Sequence, residues 1–316
     1  MNFDERRLGA AESAPGASHA TFDDSAATED DIERHDDETI SARLLWMLRK
    51  NKLAVFSLLV ICFILLAALT VPLYAPYDPN KPSLGERFAP PSKAHWAGCD
   101  DLGRDQFVRL IYGARISIMI GLLPTTISMV LGAVLGLTAG YFGGKVDFWI
   151  MRFADIVLAF PSLLLAMVVS YTLGGGIMSI FVALSVVSWA GTARVIRSQA
   201  MSLKEKEFVE AARSIGVRPG VIIFRHILPN CVPNLIVLFT LNIPGAILNE
   251  SSLSFLGIGA APPSTSWGLM IYRYKTYLMS YPWLAIAPGL AILVFVLAFN
   301  FLGDGVRDAL DPYMKD

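Results

Sequence analysis

The sequence predicts an all-α membrane protein with six transmembrane helices, both termini cytosolic, and a cytosolic helix between the fourth and fifth crossings. Two observations carry the class and a third the orientation. The chain is 54% hydrophobic and only 17% charged, against roughly 25% charged in soluble domains. The missing charges are vacated from long stretches: residues 53–77, 116–144, 156–193, 227–249 and 276–303 contain no Asp, Glu, Lys or Arg. These runs are continuously apolar, unlike the alternating segments of about 10 residues that build membrane barrels. With the amino terminus in the cytosol, Lys and Arg number 18 inside and 8 outside, the asymmetry that orients multi-pass proteins.

Taken in order, residues 1–41 form an acidic tail. Residues 1–40 hold 12 acids against only Arg6, Arg7 and Arg34, the reverse of a signal peptide's basic start and apolar core. The tail is expected to stay attached and disordered, its cluster between Asp23 and Glu38 either simply solvated or a binding element. Residues 42–77 supply the first transmembrane helix, and 78–115 an external segment. Residues 116–305 make a core of five helices. Its 38-residue run, 156–193, exceeds the roughly 20 residues one crossing needs, and Gly174-Gly175-Gly176 breaks it into a helical hairpin. Inside the core lie a cytosolic loop at 194–231 and an external loop at 257–285. Residues 306–316 are a cytosolic C-terminus.

Several chemistries are excluded. The phosphate-binding loop is absent, because Gly143-Gly144-Lys145 is followed by Val146 and Ala139 stands where the first loop glycine belongs; the chain is not expected to hydrolyse nucleotide. Cys62, Cys99 and Cys231 fall in different neighbourhoods, so no disulfide is implied. His19, His35, His95 and His226 are equally scattered, and no metal site is expected. An intramembrane hydrolase lacks a nucleophile with its base. Ion-coupled carriers bury ionisable groups at mid-membrane, and here only Glu250, toward the outer end of the fifth crossing, qualifies. It is either a relay or substrate contact, or a hydrogen-bonded carboxylate.

The segment 194–231 is far longer than the roughly 2–8 residues a helix connection in a bundle requires. Residues 202–215 are rich in helix formers, Ser202 and Glu205 make a capping pattern, and Gly216 follows as a stop. Leu203, Val209, Ala212 and Ile215 give a partial apolar face. Such a helix and turn suit docking in another protein's groove, or floating among lipid headgroups.

Glu210-Ala211-Ala212, then Gly216, then Leu228-Pro229 resembles the loop of permease subunits in ATP-binding-cassette importers. The resemblance implies that Glu210, Ala211, Ala212, Arg213, Gly216, Arg218, His226, Leu228 and Pro229 couple the chain to an ATPase subunit. The broader family usually carries an aliphatic residue where His226 stands, and Arg225-His226-Ile227-Leu228-Pro229-Asn230 looks like the peptide-importer branch. Further blocks resemble the second-permease type of oligopeptide and dipeptide importers and cover most of residues 42–316. They are 98–105 with 112–115, 253–257 with 266–268, and 303–312. From them Gly103, Arg104, Asp105, Arg115 and Trp267 are candidates for an external or gating motif. That branch more often has Thr where Cys99 stands. The acidic tail is not a shared feature.

Gly132, Gly136 and Gly140 fall four apart, a ridge that permits close helix approach. Pro161 and Pro244-Gly245 loosen the third and fifth crossings, as passive kinks or as hinges. Asn234, Asn242 and Asn249 recur on one face of the fifth crossing, either lining a polar path or tying helices together. Asn242, Asn249, Glu250 and Ser254 are the path candidates. The external segments carry many prolines together with Trp96, Trp267 and Trp283, suited to docking a partner or to anchoring at the interface.

The resemblance implies a subunit of the bacterial cytoplasmic membrane that translocates short peptides. Its partners would be a second homologous permease, two cytosolic ATPase subunits, an extracytoplasmic solute-binding protein, the peptide and the bilayer. Nucleic acid is not among them. ATP and magnesium would sit on the ATPase subunits, with no cofactor on this chain. A nickel-chelate or glutathione permease of the same family, and an ion-coupled secondary carrier, are the alternatives.

Overall fold

The computed structural model describes residues 51–259 and 264–310. The acidic tail, the residues of the first crossing before 51, Pro262, Pro263 and the last six residues lie outside that range. Among the described residues the protein is helical, with one isolated bridge, Cys99 to Asp105, and no strand.

The first crossing is α1 (Lys52–Tyr74), begun by the Asn51 side chain, which accepts a hydrogen bond from the Ala54 amide at 3.1 Å. The expected external segment loses its last ten residues to α2 (Gln106–Phe142), whose 37 residues extend about 55 Å at 1.5 Å each. That exceeds the roughly 30 Å hydrocarbon thickness. Then come α3 (Gly144–Ala159), α4 (Ser162–Thr172) and α5 (Ile177–Lys204). The third crossing is therefore not a straight rod, since α3 and α4 meet at 93°. The cause is local: Phe160 is extended at ψ 143°, and Pro161 follows with no amide to donate. Gly174, Gly175 and Gly176 all take positive φ and turn α4 into α5, the hairpin the sequence predicts. Among the described residues five helices are long and apolar enough to span a membrane, six if the bent pair counts as one.

The helix expected between the fourth and fifth crossings is present as α6 (Glu207–Ser214). Ser202 does not cap it, because α5 continues through Lys204 and the Ser202 carbonyl is already accepting from Glu205. A short α7 (Pro219–Ile222) and one π-helical turn at Ile223–Ile227 lead into α8 (Leu228–Phe255), which runs unbroken through Pro233 and Pro244. The external loop contains α9 (Trp267–Tyr274), and α10 (Trp283–Leu310) closes the bundle.

The glycine ridge packs α2 on α5. A methyl on Gly136 would stand 2.5 Å from the Ala193 carbonyl oxygen, and one on Gly132 or Gly140 would stand 2.7 Å from the carbonyl of Trp189 or Arg197. Backbone on that side cannot yield, so Gly136→Ala is expected to lower stability by about 1–3 kcal/mol. Gly191, on the same α5 but facing open space, gives the contrast: Gly191→Ala gains up to about 1 kcal/mol of helix propensity. Thermal unfolding midpoints of the two variants in one detergent should move in opposite directions.

Candidate functional site

The functional candidates fall into two groups at opposite ends of α2. Near its C-terminus, Ala133, Leu137 and Tyr141 share a buried cluster with Ile196 and Ala200 of α5, Val209 and Ala212 of α6, and Ile222, Ile223 and Ile227. Burial of Val209 and Ala212 anchors α6 by its inner face. Ile215, expected on that same face, is 81% exposed instead, because the helix ends beside it and turns away. Gly216 adopts φ +80°, its amide bonds the Arg213 carbonyl at 3.0 Å, and the Val217 amide bonds that of Ala212 at 3.1 Å. This is the left-handed glycine stop that satisfies two orphan carbonyls at once.

The outer face of α6 and its turn is exposed, with Arg213 reaching back over the Tyr141 ring at 6.0 Å. Glu207, Glu210, Ala211, Arg213, Ile215, Gly216 and Arg218 are exposed, and nothing lies within 4 Å of a methyl built on Gly216. Of the remaining candidates on this loop, Ala212 is buried, His226 and Leu228 are half-buried, and Pro229 is exposed in the first turn of α8. Gln199 donates to the Asn230 carbonyl at 3.0 Å, joining α5 to α8. Arg197 pairs with Asp147, joining α5 to α3. α5, which shares the core beneath α6, is thus tied to both α3 and α8.

At the other end of α2 the chain between α1 and α2 folds into a cap. Asp105 accepts from the Val108 amide at 2.7 Å, capping α2, and its second oxygen bonds His95 Nδ1 at 2.8 Å. Gly103 turns the chain at φ +73°. Asp100 is fully buried: it accepts from the Leu102 and Arg104 amides at 2.8 and 2.9 Å, from Arg104 Nε at 2.7 Å and from the Tyr274 hydroxyl at 2.8 Å. Burial opposes its ionisation, but the Arg104 bonds outweigh that and hold the carboxyl below its ordinary range. Arg273 binds Asp101 at 3.0 Å. Gln106 donates to the Leu284 carbonyl at 2.9 Å, and Arg109 to Thr265 at 3.0 Å. Together these bonds lock the cap to α9 and to the start of α10.

Trp267, expected on a docking surface, is core: it is buried, and its indole donates to the Leu110 carbonyl at 2.9 Å. Trp283 is half-buried, while Trp96 is 69% exposed. Arg115 is exposed on α2, nearly three turns beyond Asp105 and apart from the buried network. The path candidates divide as well. Asn234 and Asn242 are exposed on α8 and Asn249 is half-buried, but Glu250 and Ser254 are fully buried. The Ser254 and Ser266 hydroxyls donate to Glu250 at 2.7 and 2.8 Å, which clamps the start of α9 onto α8.

Cysteines and histidines are scattered along the sequence with no metal-binding spacing, but the cap brings three donors together. Glu86, His95 and Cys99 offer ligand atoms within 4.8 Å of one another. Burial alone would lower the His95 pKa, yet its bonds to Asp105 and Glu86 raise it. Burial, with Asp105, Glu86 and Asp100 nearby, pushes the Cys99 thiol up to about 11. No linear spacing signals this group, since its members meet only after the 84–105 segment folds back.

Comparison with known proteins agrees with this architecture. Residues 132–316 match the family model of the binding-protein-dependent transport system inner membrane component, and residues 41–91 that of the N-terminal transmembrane domain of oligopeptide transport permease C. An oligopeptide transport system permease of Bacillus subtilis is 39% identical over 93% of this chain and 97% of its own length. A dipeptide transport system permease of Alkalihalophilus pseudofirmus is 43% identical over 85% and 88%. A glutathione transport system permease of Pectobacterium atrosepticum is 45% identical over 71% and 75%. Among solved structures, an inward-facing MetNI methionine ABC transporter chain aligns with TM-score 0.52 at 19% identity, covering 64% of this chain and 96% of that one.

Proposed function

Since this chain belongs to the binding-protein-dependent transport permease family, in the branch of oligopeptide permease C, we propose that it forms half of the path of an ATP-driven importer of short peptides. It is a multi-pass protein of the bacterial inner membrane. The observation that carries the mechanism is α6, held by Val209 and Ala212 from beneath while Glu210, Arg213, Ile215 and Gly216 face outward. One cytosolic ATPase subunit grips that face, and a second grips the matching helix of a homologous permease. ATP and magnesium act on the ATPase subunits. Closure of the ATPases displaces α6, and because α6 shares its core with α2, α5 and the root of α8, these helices move with it as one body. An extracytoplasmic binding protein delivers peptide at the opposite face, where Trp96 is exposed, and peptide passes between the two permeases beside Asn242 and Asn249. Glu250 and Ser254 support α9 from inside the bundle. Coverage of 97% of an oligopeptide permease and 43% identity to a dipeptide permease support peptide as cargo.

Uptake of a labelled tripeptide by cells carrying the whole importer tests the reading. Uptake should stop on deletion of this chain and fall at least tenfold in Glu210→Lys. Unlabelled peptide should compete, and glutathione or a nickel chelate should not. Competition by glutathione alone would transfer the assignment to the chemistry of the Pectobacterium relative. Uptake that persists without the ATPase would return it to an ion-coupled carrier.

A further inference from the structure

We propose that Glu86, His95 and Cys99 form a binding site for a thiophilic divalent cation, with Zn2+ the best match, in the cap between α1 and α2. Their ligand atoms lie within 4.8 Å of one another. Zinc bonds of about 2.0–2.3 Å place tetrahedral ligands roughly 3.4–3.8 Å apart, so Glu86 and His95, 3.4 Å apart, already stand at ligand spacing, and a contraction of about 1 Å toward Cys99 closes the site. The donor set of one carboxylate, one imidazole and one thiol suits zinc, leaving a fourth position for water.

The arrangement is prepared rather than accidental in three respects. Asp105 holds His95 by Nδ1 at 2.8 Å, leaving Nε2 directed at Glu86, 3.4 Å away. A carboxylate behind the imidazole is the partner that orients metal-binding histidines and raises their basicity. Asp105 is itself immobilised as the N-cap of α2, so the imidazole is referenced to the longest helix of the fold. Cys99 is fixed by backbone on both sides: its amide bonds the Ala89 carbonyl at 2.9 Å and the residue bridges Asp105. Access is also provided. His95 and Cys99 are buried, while the Glu86 side chain is 49% exposed and forms the mouth. A bound cation would staple the 3-10 turn Leu84–Glu86 to the start of α2, closing the segment next to the exposed Trp96.

The test is Co2+ titration of the purified full-length chain in detergent, followed by absorption and by metal analysis after zinc loading. One Co2+ per chain with a thiolate-to-cobalt charge-transfer band is expected, absent in Cys99→Ser and weakened at least tenfold in Glu86→Gln. Asp105→Asn retains a residue that caps helices well and should weaken binding by about 10–100-fold, the usual loss when an outer carboxylate is removed. Metal-free Cys99→Ser should unfold at the wild-type temperature, which separates lost binding from lost fold. Absence of the band in wild type, or an unchanged band in Cys99→Ser pointing to Cys62 or Cys231, would overturn the site. Neither result bears on peptide uptake, so the metal site and the importer reading stand or fall separately.

Discussion

Gly216→Asp is expected to strip the ATPase subunits from the purified complex and to abolish peptide uptake, while the permease itself stays folded. At φ +80° a residue with a Cβ strains the backbone by roughly 1–2 kcal/mol, and aspartate is among the residues that tolerate this region best. Within the chain there is nothing for the new side chain to strike, since no atom lies within 4 Å of the position. Any loss much larger than that strain must come from a surface pressed against the turn from outside. A carboxylate there brings bulk and a buried charge into the contact, and Gly216→Asn, equal in size but neutral, should retain part of the ATPase. Co-purification in mild detergent, read beside the thermal midpoint of the isolated subunit, decides it. Full ATPase retention would remove the coupling role of α6, and an unfolded subunit would reduce Gly216 to a structural glycine.

Asp100→Ala should be the most destabilising change in the cap. Four hydrogen bonds converge on this carboxylate, from two amides, Arg104 and Tyr274, and Arg104 is itself buried. Removal leaves Arg104 with only Asp101, 3.8 Å away, and takes from buried Arg109 a carboxylate 3.6 Å distant, a loss of about 3–5 kcal/mol. Asp101→Ala removes the less buried partner of Arg273, 3.0 Å away, and should cost less than Asp100→Ala, about 1–2 kcal/mol. Thermal unfolding of both variants tests the contrast, and protease cleavage within 78–105 should appear first in Asp100→Ala. Equal midpoints for the two would mean that the buried network does not hold the cap.

These two sites show what a linear reading can and cannot reach. The membrane spans are legible because a crossing is a composition, a run without charge, and α6 is legible because Glu210, Gly216 and Pro229 keep a fixed spacing. The start of α6 was not, since Ser202 and Glu205 form a sound local capping pattern that loses to the continuation of α5 through Lys204. The break at Pro161 is legible as a loosening of the third crossing, but its 93° angle is not, since that depends on whether neighbouring helices hold the chain straight. Trp267 looked like surface because it follows a proline-rich loop, but its indole finds Leu110, 157 residues away. Asp100 with Tyr274, and Glu86 with His95 and Cys99, are created by folding, and no spacing announces them.

The length of α2 has a thermodynamic consequence. One helix holds the Asp105 cap at its first turn and, at its last, Tyr141, packed in the core that seats α6. If displacing α6 alters how tightly the cap receives its visitor, then the visitor must alter the ATPase's affinity for its nucleotide by the same factor, because a coupling free energy has no direction. Docking at the cap and nucleotide binding at the ATPase would then be linked through one equilibrium.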